Sequence, residues 1–207
     1  QAKDYCLTSN PIILGNGFDM ENYQFNEKND GPLGWAGRIS PEKGLEDAAK
    51  VASSLGEKLL VWGFIEDKEY AFEIEKTFTK EIIEWKGFLS THKFQEQIGK
   101  CRALLNTPKW NEAYGNVIVE AMACGVPVIA YDLGGPGELI EDGLNGFLVQ
   151  PNDIEGMIKA TKSVSNINRR NCRIWFEQNA SNKVFAERVE RWINKGLNNN
   201  LSTDLQD

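Results

Sequence analysis

The feature that most constrains the fold is an alternation: from about Leu33 to Val149, short apolar runs take turns with stretches of helical pattern. Parallel strands cannot be joined by tight hairpins and need crossover segments, so this alternation implies βαβ units and a parallel sheet. Six strands are expected, at Leu33–Gly37, Leu59–Trp62, Ile82–Trp85, Ala103–Asn106, Val126–Tyr131 and Gly146–Val149. Helices are expected between them at Pro41–Leu55, Lys68–Lys80, His92–Lys100, Gly115–Cys124 and Pro136–Ile140. After Pro151 the pattern is helical only, at Asp153–Ser165, Arg169–Asn179 and Asn182–Lys195. Residues 1–196 therefore read as one α/β unit, a Rossmann-like doubly wound parallel sheet with a helical C-terminal end, and residues 197–207 as a polar, Asn-rich tail.

Composition narrows the chemistry. A net charge of -7 argues against broad nucleic-acid binding, which needs a basic face to displace counterions, so any phosphate site must be locally positive. Cys6, Cys101, Cys124 and Cys172 are scattered without a CxxC pair, and His92 is the one histidine, which argues against a zinc site. This usage fits a reducing cytosol, and a cytoplasmic location is expected. No uncharged apolar run reaches the ~18 residues of a membrane span. The chain opens at Gln1 and runs straight into apolar Pro11 to Leu14, so it is expected to be a piece of a longer protein.

The chemistry concentrates in Asn111 to Gly125, NEAYGNVIVEAMACG. Glu112 falls in a loop, and Glu120, eight positions on, falls one to two turns inside the helix that starts near Gly115, so both acids can face one cleft. The start of a helix leaves backbone N–H groups without intrahelical partners and carries the positive end of the macrodipole, which favours an anion. A phosphate flanked by hydroxyl-rich groups, as in a nucleotide sugar, satisfies all three features. Glu120 lies among Val117, Ile118, Val119 and Ala121 to Cys124, where a carboxylate needs partners, and ribose hydroxyls are suitable ones. Glu112 alone could instead be an ordinary helix-start acid.

The first strand ends in Gly37-Arg38, with Lys43 five positions beyond Arg38, where the ligand crevice of an open α/β sheet lies. Arg and Lys there are either surface charges or phosphate ligands, and a position opposite the Glu112 loop favours phosphate. Gly134, Gly135 and Gly137 either let backbone approach a ligand or form a tight turn. Gly87, Phe88 and Leu89 follow the third strand and could meet a flat base. Gly15-Asn16-Gly17 has Met20 where GxGxxG needs its third glycine, which argues against a nicotinamide cofactor. His92 has no triad partners nearby in sequence and reads as structural.

Taken in order, Gly15-Asn16-Gly17-Phe18-Asp19, Gly37-Arg38 with Lys43-Gly44, Glu112 with Glu120, Ala121 to Ile129, and Gly134-Gly135 with Glu138 resemble the carboxyl-terminal domain of family 4 retaining glycosyltransferases of the GT-B fold. The resemblance runs from about Ile12 to Val149. It implies that Arg38 and Lys43 hold the donor diphosphate, and that Glu112 accepts bonds from the transferred sugar, helped by the backbone of Tyr114, Gly115, Asn116 and Val117. It further implies that Glu120 binds the ribose and that the segment around Gly87, Phe88 and Leu89 meets the base. It also implies catalytic roles for Arg38, Lys43 and Glu112, no cofactor and no metal, and an amino-terminal acceptor domain that this chain lacks. Without that domain, donor binding with little or no transfer is expected.

A narrower likeness, in PLGWAGRISPEKGLEDA (Pro32 to Ala48), Gly87 to Ser90 and CRALLNTPKW (Cys101 to Trp110), is to cyanobacterial enzymes that transfer glucose from UDP-glucose to a reduced pterin. Alternatives on the same fold are a sugar-nucleotide epimerase, a phosphorylase or a non-catalytic nucleotide-binding module.

Overall fold

A computed structural model describes residues 14–203, with side chains through residue 195. Cys6, the apolar residues from Pro11 to Ile13 and the last four residues of the expected tail lie outside that range. Six strands form one sheet: β1 (Leu33–Ala36), β2 (Leu59–Trp62), β3 (Ile83–Gly87), β4 (Ala103–Asn106), β5 (Val128–Tyr131) and β6 (Gly146–Val149). Their order is β3-β2-β1-β4-β5-β6 and every pairing is parallel. Among the described residues the eight α-helices are α1 (Leu45–Leu55), α2 (Lys68–Thr77), α3 (Thr91–Ile98), α4 (Asn116–Ala123), α5 (Pro136–Leu139), α6 (Ile154–Ser163), α7 (Arg169–Asn179) and α8 (Asn182–Thr203).

The chain winds outward from β1 to β3, crosses back to β4 beside β1, and winds outward again to β6. Right-handed crossovers in opposite directions put α1 and α4 on opposite faces of the sheet. Here α1 packs with α6, and α4 packs with α3 and α7. With both faces covered, β4 (ALLN) and β5 (VIAY) are buried along their whole length, which is why they read as unbroken apolar runs. Helix α1 buries Leu45, Ala48, Ala49 and Ala52, with Asp47 and Val51 beside them, a wide face against the sheet and α6.

Most element ends lie within three residues of those expected, and two larger differences have a physical reason. The helix expected from Pro41 is split into a 3-10 turn, Pro41–Lys43, and α1, because Gly44 takes φ 65° between them. A Cβ at Gly44 would stand 2.0 Å from the Thr107 carbonyl oxygen, so close packing fixes both the residue and the break. Helix α8 runs to Thr203 rather than stopping at Lys195, since extending a nucleated helix costs far less than starting one.

Residues 18–26 lie across the α4–α7 face. Phe18 N–H donates to the Ala180 carbonyl at 2.9 Å, and Phe18, Tyr23 and Phe176 stack edge to face. Arg169, 4% exposed, donates to the carbonyls of Asn26, Cys101 and Gly99 at 2.7, 2.7 and 2.9 Å. Burial pushes the thiols of Cys101, Cys124 and Cys172 up to about 12, so they are unreactive fillers. Among the described residues no helix is long and apolar enough to cross a membrane.

Arg169→Met would leave those carbonyls buried without donors. It is expected to cost about 3 kcal/mol, from the penalty of unsatisfied buried acceptors. Urea unfolding of the variant with an unchanged midpoint would contradict this account.

Candidate functional site

At a doubly wound sheet's switch point, the loops leaving neighbouring strands splay apart and open a crevice at the strands' carboxyl ends. In this sheet the switch point lies between β1 and β4. A cleft of about 830 Å³ opens there. Its walls come from the loops after β1, β2, β3 and β4 and from the start of α4.

Of the residues singled out in the sequence, Gly37, Arg38, Lys43, Phe88, Leu89, Glu112, Tyr114, Gly115, Asn116, Val117 and Glu120 all line this cleft. Gly87 does not. It ends β3, where its carbonyl accepts the Gly63 N–H at 3.1 Å, immediately before Phe88.

Lys43 and Glu112 meet directly, Nζ to Oε2 at 2.5 Å, with side chains 17% and 14% exposed. Lys43 Nζ also lies 4.8 Å from the centre of the Trp110 ring. The other Glu112 oxygen accepts the Ala113 N–H at 3.2 Å. Arg38 is half-exposed; its guanidinium bonds both oxygens of Glu66, at 3.0 and 2.7 Å, and reaches Glu42 at 3.2 Å. Both cations thus carry internal carboxylate partners. At the start of α4, Gly115 has φ 95° and its carbonyl takes the Ile118 N–H at 2.9 Å. Asn16 Nδ2 donates to Asn116 Oδ1 at 2.8 Å, which brings the Gly15-Asn16-Gly17 segment to the cleft as a support.

Gly134 and Gly135 serve the chain rather than a ligand. Residues 112 and 134 form a parallel bridge, with Glu112 N–H on the Leu133 carbonyl at 3.2 Å and Gly135 N–H on the Glu112 carbonyl at 2.7 Å. A Cβ on Gly134 would stand 2.5 Å from the Glu112 oxygen. The two glycines hold the Glu112 loop from behind. Exposed His92 begins α3 beside Glu96, 3.6 Å away, outside the cleft.

Glu120 has a partner within the fold: the Tyr23 hydroxyl donates to Oε1 at 3.1 Å. Burial raises the Glu120 carboxyl above its usual value of 4.5, and the Tyr23 bond pulls it back down. Other cleft residues passed unnoticed in the sequence, among them Trp35, Trp62, Phe94 and Asn106. The aromatic ones end strands or sit on α3 and look like core; Asn106 alone carried a signal, as the one polar residue of ALLN. Among the described residues, no group of three or more His, Cys, Asp or Glu side chains is placed to hold a metal ion.

The comparisons with known proteins agree with this geometry. The family model for glycosyl transferases group 1 matches residues 21–182. An uncharacterized glycosyltransferase of Methanocaldococcus jannaschii is 33% identical over 162 residues, which are 75% of this chain and 44% of that protein. Among solved structures, HepE of Anabaena in complex with UDP and glucose superposes with a TM-score of 0.74 at 23% identity, covering 86% of this chain and 55% of that one. Sucrose-phosphate synthase of Thermosynechococcus elongatus superposes at 0.81 with 17% identity, over 94% and 55%. The chain therefore spans about half the length of these proteins, and the two structural likenesses speak for the fold.

The raised Glu120 carboxyl has a pH consequence. The folded chain holds a proton there at pH values where the unfolded chain has lost it, which stabilises the fold; that contribution is complete below about 4.5 and is lost as pH rises through the folded value. Glu120→Gln keeps an acceptor for Tyr23 and is expected to remove that fall and to raise Tm at pH 8. Melting profiles parallel to wild type from pH 4 to 8 would refute it.

Proposed function

The chain belongs to the group 1 glycosyl transferases, and from that premise we propose that it is the donor-binding half of a family 4 retaining hexosyltransferase that takes a nucleotide sugar. The observation that carries the reading is the meeting of Lys43 and Glu112 beside the start of α4, in a cleft at the switch point of the sheet. A cation and a helix N-terminus suit a diphosphate, and a loop carboxylate beside them suits hydroxyls. In this reading Lys43 leaves Glu112 for the diphosphate, and Glu112 turns to the sugar. Arg38 exchanges Glu66 and Glu42 for phosphate oxygens. Glu120 accepts from the ribose while keeping Tyr23, and Phe88 and Leu89 flank the base.

Transfer would then break the bond from the anomeric carbon to the diphosphate oxygen and form one from that carbon to the acceptor oxygen, on the same face. The departing phosphate oxygen takes the acceptor proton, and Lys43, Arg38 and the α4 terminus stabilise its charge without a metal. The acceptor pocket is assigned to an amino-terminal domain of the whole protein, in keeping with the fraction of its relatives that this chain spans. The HepE structures with UDP and UDP-glucose support a uridine donor. Glucose and a reduced-pterin acceptor rest on the likeness in Pro32 to Ala48, Gly87 to Ser90 and Cys101 to Trp110.

Calorimetry with UDP and UDP-glucose tests the reading. Lys43→Ala is expected to weaken UDP by about 1.5–3 kcal/mol, the scale of a hydrogen bond to a charged group. Unchanged affinity would sink the phosphate assignment. Glu112→Ala is expected to weaken UDP-glucose while leaving UDP equal or tighter, because Lys43 is freed from its internal partner. Equal losses for both ligands would remove Glu112 from the sugar.

A further inference from the structure

Asn106 ends β4 at the floor of the cleft, 8% exposed, and its side-chain Oδ1 is buried with no hydrogen-bond partner among the described residues. It is the only side-chain oxygen or nitrogen in that condition among them. The three residues before it, Ala103, Leu104 and Leu105, are apolar and buried, and a fourth apolar side chain would complete the strand with no orphan. An unsatisfied buried carboxamide opposes folding, so a group that lines a ligand cleft in this state is one whose partner arrives with the ligand.

The chemistry of a carboxamide limits what that partner is. The orphaned atom, Oδ1, is an acceptor, so its partner must donate a hydrogen bond. Diphosphate oxygens only accept at neutral pH and cannot satisfy Oδ1. A sugar hydroxyl can donate. The base is also excluded by position. Phe88 and Leu89 follow β3, three strands from β4 in the sheet, a separation of about 14 Å at ordinary strand spacing. Asn106 lies instead at the Lys43–Glu112 end. Its neighbour Thr107 donates to the Gly44 carbonyl at 2.7 Å, next to Lys43, and the connection that follows β4 carries Glu112.

We infer that Asn106 reads a hydroxyl of the transferred sugar and sets which sugar the site prefers. The inference rests on the donor-site reading above and adds a contact to the part of the donor that Glu112 faces. Two walls then hold the sugar: a carboxylate from the β4–α4 loop and a neutral amide from the strand end. Because the amide is orphaned until the sugar enters, discrimination comes from the ligand that relieves it. A sugar lacking the matching hydroxyl leaves Oδ1 buried and unpaired, the arrangement in which polar sites reject analogues most strongly.

The test is Asn106→Leu, with UDP and UDP-glucose as probes in calorimetry and melting without ligand as a second readout. The expected result is a loss of about 5–20-fold in UDP-glucose affinity with UDP within twofold of wild type, and an unliganded Tm at or above that of wild type. Should the leucine not fold, Asn106→Ala adds no bulk and carries the same expected split. Equal losses for the two probes, or no loss for either, overturn the inference; the latter means that a water satisfies the amide. Wild-type chain that binds neither probe overturns the donor-site reading and this inference with it. Wild-type chain that binds both, with Lys43→Ala impaired and Asn106→Leu not, leaves the donor site standing and overturns only the role of Asn106.

Discussion

The site depends on a seam of close contacts where β1 and β4, the strands at which the winding reverses, hand over to their loops. Thr107 accepts the Trp35 indole N–H at 3.3 Å and donates to the Gly44 carbonyl at 2.7 Å. Lys109 continues the seam: its backbone N–H bonds the Glu42 carbonyl at 2.8 Å, and its ammonium pairs with buried Asp47 on α1. The Tyr131 hydroxyl at the end of β5 donates to the same carboxylate at 2.8 Å. Burial alone would raise the Asp47 carboxyl, but these hydrogen bonds outweigh it, keep Asp47 ionised and hold it below the usual carboxylate range. The outcome is positional. The turn that carries Lys43 and the loop that carries Glu112 are fixed to each other through β4, so the two side chains meet although 69 positions separate them.

Much of this architecture was legible because burial writes itself into sequence. Strands covered on both faces must be continuously apolar, and all six appear within two residues of where the apolar runs place them. The fold class and the gathering of most candidate residues into one cleft follow from that. What stayed hidden depends on partners far along the chain. Pro41 to Leu55 has an acceptable helical pattern, and nothing local reveals that the Thr107 carbonyl will force Gly44 out of it. The Glu120–Tyr23 bond joins residues 97 apart. The roles of Gly134 and Gly135 were open in sequence because a glycine that admits a ligand and one that admits another stretch of backbone look alike; here the neighbour is the Glu112 loop.

In the donor-site reading, the cleft of a chain with a net charge of -7 must offer an anion locally placed cations, and Lys43 and Arg38 are the ones there. Lys43 and Arg38 are not bare cations awaiting phosphate; Glu112, Glu66 and Glu42 stand in as counterions. The exchanges differ in cost. Arg38 and Glu66 are half-exposed, and such pairs contribute little, so a phosphate at Arg38 would displace Glu66 at small cost. Lys43 and Glu112 are mostly buried, and breaking that pair leaves two charges in need of partners. A donor with both a diphosphate and a hydroxyl-bearing sugar supplies one partner for each. Free phosphate supplies only the first, so in the donor-site reading the pair would bias the cleft towards the complete donor.

Glu112 and Glu120 differ in what a ligand would have to rearrange. Glu112 is held by an ammonium and one backbone N–H, a charged arrangement that a ligand must rearrange. Glu120 is held by a neutral phenol in a buried setting that disfavours its charge. A ribose hydroxyl added at Glu120 breaks nothing, since a carboxylate accepts several bonds and Tyr23 can remain. In the donor-site reading the ribose end is therefore preformed and the sugar end is poised. On that reading the nucleoside, whose contacts require no exchange, would bind first, and the Lys43–Glu112 pair would open once the diphosphate stood beside it.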